Sequence, residues 1–184
     1  MSTTTTERPA IPAGAFKIDP VHSTVGFEVK HVISTFRGTF GDYDARLDNT
    51  NGAARLTGSA GVKSVDVRDE NLAAHLQSPD FFDAERHPQI GFESERIELD
   101  GSEAVKLEGE LTIRGVTKPI VASGRLEHVE ADMSGNQRIG LELETVVDRR
   151  DFGLNWNAAL PKGGFALGND VKLVVRLELV PDEA

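Results

Sequence analysis

The chain contains no cysteine among its 184 residues. It therefore cannot form a disulfide, bind a metal through a thiolate or use a cysteine nucleophile. No apolar run is long enough to cross a bilayer, and the N-terminus lacks the apolar segment of a signal peptide. We therefore expect a cytoplasmic protein.

Positive charge is also scarce, since 20 Lys and Arg residues face 30 Asp and Glu residues, and the formal net charge is -10. This balance argues against binding nucleic acid or an anionic membrane through a general electrostatic field. The length suits one domain with a substantial core. We predict a disordered tail over residues 1–13, which offer little apolar surface to bury, and a single domain over 14–184.

Alternation of apolar and polar residues is the strongest pattern that the chain does contain. It is densest between Val21 and His31, where Val25, Phe27 and Val29 occupy one face. A period of two is typical of a strand with one dry face and one wet face. The other predicted strands span residues 37–48, 54–66, 88–99, 105–113, 118–130, 139–147 and 171–179.

Short turns between these segments favour an antiparallel sheet of about eight strands. Closing such a sheet into a barrel removes its exposed edges. A barrel of eight strands is either filled by its own side chains or hollow enough for one small ligand. Four small residues at inward positions favour a cavity: Ala45, Ala60, Gly109 and Ala122.

One stretch breaks the strand pattern and predicts a helical insertion near residues 69–84. Asp69 precedes helix-forming residues as a candidate N-cap. Ser78-Pro79 has the form of a second N-cap followed by proline at the first helical position. We therefore predict a pair of helices that carries Phe81 and Phe82 over one end of the barrel.

Several motifs, in order along the chain, resemble those of the YceI-like family of lipocalin-like proteins. The resemblance implies an elongated apolar cavity that takes a polyisoprenoid, with the polar head near the mouth. Many members of the family are periplasmic, unlike the location expected here. The matching motifs are Ile18-Asp-Pro-Val-His-Ser-Thr-Val-Gly-Phe27, Phe36-Arg-Gly-Thr-Phe-Gly41, His75-Leu-Gln-Ser-Pro-Asp-Phe-Phe-Asp83, His87-Pro-Gln-Ile-Gly-Phe92, Gly109-Glu-Leu-Thr-Ile-Arg-Gly-Val-Thr-Lys-Pro119 and Arg150-Asp-Phe-Gly153.

The predicted ligand contacts are apolar and aromatic side chains of the dry faces, with two histidines. For each aromatic residue, a place in an ordinary packed core is the alternative. Arg37, Arg68 and Arg86 are candidates to meet an anionic head group, or else solvated surface charges. The predicted contacts are Val25, Phe27, Val29, His31, Phe40, His75, Phe81, Phe82, Phe92, Leu111, Ile113, Leu141 and Trp156.

Three functions remain open at this point. The first is a non-enzymatic carrier or sequestering protein for an isoprenoid or similar amphiphile, with no cofactor beyond the bound lipid. The second is a stress-protective barrel that binds a small molecule or a metal, with His22, His31 and His75 as candidate ligands. The third is a hydrolase or isomerase, although His22 and Ser23 would point to opposite faces of a strand. Apolar positions such as Val121 and Val174 allow a homodimer.

Overall fold

The computed structural model describes residues 10–101 and 103–183. Most of the predicted tail, residues 1–9, lies outside this part of the chain. The side chain of Asn49 donates hydrogen bonds to the carbonyls of Ile11 (2.8 Å) and Pro12 (3.2 Å), which ties the start of the described chain to the domain.

Strands dominate the described residues, with one α-helix, α1 (Glu70–Gln77). The strands are β1 (Gly14–Ile18), β2 (Thr24–His31), β3 (Ser34–Phe40), β4 (Tyr43–Asn49), β5 (Arg55–Gly61), β6 (Val65–Asp66), β7 (Gln89–Asp100), β8 (Ala104–Ile113), β9 (Val116–Val129), β10 (Arg138–Asp148) and β11 (Leu167–Pro181).

All of the pairings are antiparallel, and the sheet closes because β1 pairs with both β4 and β11. The first six strands form three bent pairs: β1 with β2, β3 with β4, and β5 with β6. The first pair runs along β11, the second runs along the first, and the third runs along the second. Counting each bent pair as one strand gives a closed barrel of eight strands, which confirms the predicted fold class.

The strand that the alternation places from Val21 onward is β2, and it starts later, at Thr24. A short 3-10 turn, Pro20–His22, precedes β2, and the Asp19 side chain caps it by accepting a hydrogen bond from the Val21 amide. Val21 is 82% exposed and does not belong to the dry face. The prediction was wrong at this residue because Pro20 and the Asp19 cap favour a turn over an extended chain.

The helical insertion is confirmed as one helix rather than two. Asp69 caps α1, accepting a hydrogen bond from the Leu72 amide at 2.8 Å. Ser78 ends the helix instead of starting another, and its hydroxyl donates to the His75 carbonyl at 2.6 Å. Residues 78–87 form turns, and Asp83 adopts a left-handed φ of 53°, which interrupts any helical continuation.

The barrel interior divides into two halves. One end is packed solid by inward residues of β1, β4, β5, β8, β9, β10 and β11; we call it the packed end. The other half lies under α1, the turns at 78–87 and the segment 149–166, which together we call the cap. The largest residues of the packed end are Phe16, Leu47, Leu56, Leu107, Leu126, Ile139, Leu141, Leu143, Leu177 and Leu179.

Within residues 10–101 and 103–183, the structure contains no helix of the length and apolar character needed to span a membrane.

Candidate functional site

The half of the barrel beneath the cap contains an apolar cavity of about 550 Å³. This volume falls within the range of about 300–1,000 Å³ that is typical of small-molecule pockets. Nearly all of the strands contribute inward residues to its walls, and the cap supplies its roof. Leu107, Leu143 and Leu177 belong both to the cavity lining and to the packed end, so they form its floor.

The cavity lining includes every predicted contact residue except Leu141. Leu141 faces inward as predicted, but it is 2% exposed and lies among the side chains of the packed end. Leu143, two residues further along β10, reaches the cavity in its place. Alternation identifies the inward face of a strand, but it does not say how high along the barrel a residue lies.

Small side chains leave room in the cavity at three of the four predicted positions, Ala45, Ala60 and Ala122. Gly109 is the exception. A Cβ atom there would lie 2.6 Å from Cζ of Phe92, because the phenylalanine ring already occupies the space above the glycine. Gly109 therefore serves close packing rather than the cavity.

An aromatic cluster at the junction of α1 with the segment 149–166 forms part of the roof. The His75 ring meets Trp156 edge-on, with ring centroids 4.7 Å apart, and meets Phe81 in the same way at 5.0 Å. Nε2 of His75 lies 3.0 Å from a carboxylate oxygen of Asp80. The ring centroids of Phe82 and Phe40 lie 6.0 Å apart, and this contact joins the cap to the barrel wall.

Two arginines hold the cap through backbone carbonyls. Nη1 of Arg114 donates to the carbonyls of Phe81 (3.0 Å) and Gly153 (3.1 Å), which lie on different segments of the cap. Nη1 of Arg149 donates to the carbonyls of Leu154 and Trp156, both at 2.7 Å. These bonds set the position of the loop that carries Trp156 over the cavity.

Arg149 is the charged group most deeply placed in the lining. Its side chain is 5% exposed, and burial lowers the pKa of its guanidinium. The arginines that the sequence offered for an anionic head, Arg37, Arg68 and Arg86, do not line the cavity. Arg37, for example, alternates with the cavity residue Phe36 and therefore points outward, where it pairs with Glu28 at 2.9 Å.

Sequence reasoning missed Arg149 because its partners are far along the chain or in an irregular loop. The one feature of the sequence that could have indicated it is its position directly before residues 150–153, a motif that resembles the YceI-like family. Other cavity residues near the roof were also not predicted, because the irregular cap and the start of β11 bring them in. They include Leu72, Leu76, Phe152, Leu154, Ala158, Ala166, Leu167 and Val171.

The three histidines considered above as alternative metal ligands are not brought together. His31 and His75 line the cavity, whereas His22 lies beyond the other end of β2, with Nδ1 2.8 Å from the Asp19 carboxylate. Asp19, His22 and Glu178 form the one group with metal-like spacing that we find in the described part of the chain. Nη1 of Arg138 lies 2.8 Å from Asp19 and 2.7 Å from Glu178. A guanidinium therefore already pairs with both of these carboxylates.

The group around Arg138 has strongly shifted proton equilibria. Hydrogen bonds from His22 and Arg138 lower the pKa of Asp19 to about 2. A bond from Arg138 and two backbone amides lower the pKa of Asp132 to about 2. The partnership with Asp19 raises the pKa of His22. These ion pairs lie outside the cavity lining and stabilise the opposite end of the barrel.

A closed antiparallel barrel that is packed at one end and hollow at the other defines a lipocalin-like barrel with an internal cavity. Comparison with known proteins then identifies the family. The sequence model of the YceI-like domain matches residues 16–179, and the chain belongs to the YceI-like family.

Relatives and solved structures agree with this assignment. A UPF0312 protein of Staphylococcus epidermidis is 33% identical over 172 residues, which cover 91% of this chain and 98% of the relative. The YceI protein of Campylobacter jejuni is 30% identical with a TM-score of 0.70, covering 90% of this chain and 97% of that one. A polyisoprenoid binding domain of Saccharophagus degradans has a TM-score of 0.70, with coverage of 91% and 98%. Its identity of 11% shows likeness of fold alone.

Proposed function

We propose that this protein binds a polyisoprenoid or a similar long-chain amphiphile inside the barrel and carries or sequesters it without chemical change. The observation that supports this proposal most directly is the cavity itself, whose lining is almost wholly aliphatic and aromatic. A lining of this kind favours a long hydrocarbon chain, because it offers little to a polar molecule.

The energetics of such a ligand are favourable. Each CH₂ group moved from water into an apolar site contributes about 0.8 kcal/mol. A chain of many such groups retains a large surplus after the cost of ordering the chain is subtracted. Few directed polar contacts are required, so selection depends chiefly on the length and shape of the tail. The floor formed by Leu107, Leu143 and Leu177 would set the depth to which a tail can enter.

Family membership is consistent with this function. The Saccharophagus degradans domain with the same barrel is described as polyisoprenoid binding. Fold likeness at low identity does not transfer a function. The proposal therefore rests on the apolar cavity of this chain, and the neighbour indicates the chemical class to test first.

The test is mass spectrometry of organic extracts from purified protein, followed by rebinding of the extracted compound to delipidated protein. We expect an amphiphile with a long apolar tail at close to one molecule per chain, and recovery of that stoichiometry on rebinding. Extracts free of such compounds, together with delipidated protein that retains neither geranylgeraniol nor hexadecanol, would contradict the proposal. A tightly bound metal in the same preparations would favour a metal-binding barrel instead.

A further inference from the structure

The turn that joins β2 to β3 has an unusual composition for its shape. It consists of Val32 and Ile33, between the paired residues His31 and Ser34. Turns of two residues favour glycine and asparagine. Val32 is instead β-branched and adopts a left-handed φ of 53°, which costs such a residue free energy. Ile33 is 93% exposed. The turn therefore keeps apolar side chains in solvent against local backbone preference, which favours a role in binding over a role in the fold.

A third exposed apolar residue, Phe165, lies on the loop beside this turn. The amide of Val32 donates to the carbonyl of Ala166 at 2.8 Å, which holds the two loops together, and Phe165 is 66% exposed. We call Val32, Ile33 and Phe165 the rim patch. Their chain neighbours His31 and Ala166 line the cavity, whereas the patch residues lie outside its lining. The rim patch therefore begins where the apolar lining of the cavity ends.

The rim patch is too small to be a protein interface of ordinary size. A standard interface buries about 800 Å² on each partner. A large aromatic side chain buries about 150–250 Å², and the patch holds one aromatic and two smaller apolar side chains. Apolar side chains on two loop tips are suited instead to a lipid bilayer. They enter the boundary between head groups and acyl chains, which requires no complementary partner surface.

Two lysines beside the rim patch suit the same partner. Lys30 lies shortly before Val32 and Lys162 shortly before Phe165, and both lysines are exposed. Among the residues that the structure describes, neither has a carboxylate oxygen within 4.0 Å. A lysine extends its apolar stem along inserted side chains and reaches lipid phosphate groups with its ammonium. The net charge of -10 gives no general attraction to an anionic membrane, so the lysines act only at close contact.

We propose that the rim patch is a membrane-docking surface, which inserts Ile33 and Phe165 into a phospholipid bilayer while Lys30 and Lys162 meet its phosphate groups. Docking in this orientation brings the edge of the cavity against the lipid. An apolar tail then passes between bilayer and barrel without the cost of crossing water. The inference rests on the proposed function for this purpose, but the docking itself is measured without any cavity ligand.

The test is flotation of delipidated protein with vesicles of phosphatidylcholine, and with vesicles of phosphatidylcholine and phosphatidylglycerol in equal parts. We expect wild type to float with both, and more strongly with the mixture. The double variant Ile33→Ser with Phe165→Ser should lose about tenfold or more of its partitioning into either vesicle, because it removes the inserted apolar surface. The double variant Val129→Ser with Met133→Ser is the matched control. It removes two exposed apolar side chains at the end of β9 and in the loop that follows, and should partition like wild type.

The lysines are tested by the double variant Lys30→Gln with Lys162→Gln. This variant should still float with phosphatidylcholine but should lose the preference of wild type for the mixture. An unchanged preference would overturn the part assigned to the lysines.

Two results overturn the docking proposal. One is wild type that floats with neither vesicle, or that floats no better than the Ile33→Ser with Phe165→Ser variant. The other is self-association of wild type in place of flotation, lost in the same variant, which would assign the patch to a second copy of the chain. Binding of geranylgeraniol in vesicle-free solution separates this outcome from the proposed function, because the patch residues lie outside the cavity lining. Wild type and the variant should bind it equally there. Absence of that binding contradicts the proposed function, whereas binding without flotation contradicts the docking alone.

Discussion

The ring of Phe92 on β7 lies directly over Gly109 on β8, at the place where any larger residue would put its side chain. A Cβ atom on Gly109 would lie 2.6 Å from Cζ of Phe92 and would also meet the backbone carbonyl of Glu93. Glycine at this position therefore allows an aromatic ring to pack against the barrel wall and line the cavity.

Gly109→Ala should lower the free energy of unfolding by about 1–3 kcal/mol, because neither the Phe92 ring nor the Glu93 carbonyl can yield easily. Gly91→Ala is the matched control. Gly91 also lies on a strand of the barrel, but a Cβ atom there meets nothing within 4 Å. Urea denaturation of the two variants checks the prediction, which fails if they are equally stable.

Ala122→Leu should reduce the capacity of the cavity without destabilising the barrel, since Ala122 faces empty space. The control is Val121→Leu, which alters the adjacent residue, 53% exposed. We expect weaker binding of geranylgeraniol only in Ala122→Leu, with both free energies of unfolding within about 1 kcal/mol of wild type. A loss of several kcal/mol in Ala122→Leu, as in an overpacked core, would mean that the barrel is filled at this point.

Arg114→Met should loosen the cap while leaving the strands intact. The change removes the hydrogen bonds that join Phe81 and Gly153, so these two cap segments lose a shared anchor. Hydrogen exchange should accelerate at residues 78–84 and 152–156, and the bound ligand should dissociate faster. Arg86→Met, on an exposed arginine of the same cap, serves as the control. Equal exchange rates in wild type and Arg114→Met would show that the anchor is dispensable.

Acid should weaken the barrel through the carboxylates around Arg138. The pKa values of Asp19 and Asp132 are about 2 in the folded protein, against an ordinary value of 3.8. A lowered folded-state pKa adds stability above the ordinary pKa, and this stability is lost as the pH falls from 3.8 to about 2. Arg138→Gln should flatten the loss of stability in that window, most directly through Asp132.

The matched control for the acid series is Arg125→Gln, since Arg125 is an exposed arginine that also pairs with two carboxylates, Glu103 and Glu127. Thermal denaturation between pH 5 and pH 2 should show that this variant loses stability with falling pH at the same rate as wild type. The account is contradicted if Arg138→Gln and wild type lose stability in parallel over the whole range.

His22 should contribute stability that is lost as the pH rises, whereas the contribution of the carboxylates is lost as the pH falls. Its partnership with Asp19 raises the pKa of the imidazole above its ordinary value of 6.5. The stabilisation is fully present below pH 6.5 and is lost as the pH rises through the folded-state pKa. His22→Gln should abolish this small loss of thermal stability between pH 6 and pH 9. The prediction fails if wild type shows no loss that the variant lacks.

The strands and their inward faces could be predicted from the sequence, because alternation is a local property. On β8, for example, Leu107, Leu111 and Ile113 are buried as the pattern indicates. Height along the barrel was not predictable, since it depends on the stagger of neighbouring strands. Leu141 and Leu143 lie on the same inward face of β10, yet Leu141 lies within the packed end and Leu143 reaches the cavity.

The cap was less predictable than the barrel, since its structure depends on contacts between distant segments. Ser78-Pro79 resembles a helix start locally, but the Ser78 hydroxyl bonds back to His75 and ends α1. The role of Arg149 depends likewise on the Gly168, Leu154 and Trp156 carbonyls, which no local pattern reveals. The electrostatic part of the site was therefore missed, whereas all of the predicted contact residues except Leu141 do line the cavity.

Trp156 offers the most direct test of whether the cavity is hollow and takes an apolar tail. It is the only tryptophan in the chain and it lines the cavity. Its fluorescence can be recorded while delipidated protein is titrated with geranylgeraniol. A ligand in the cavity should change the Trp156 emission progressively and saturate at one molecule per chain. Emission that stays constant while the added geranylgeraniol remains unbound would contradict the account.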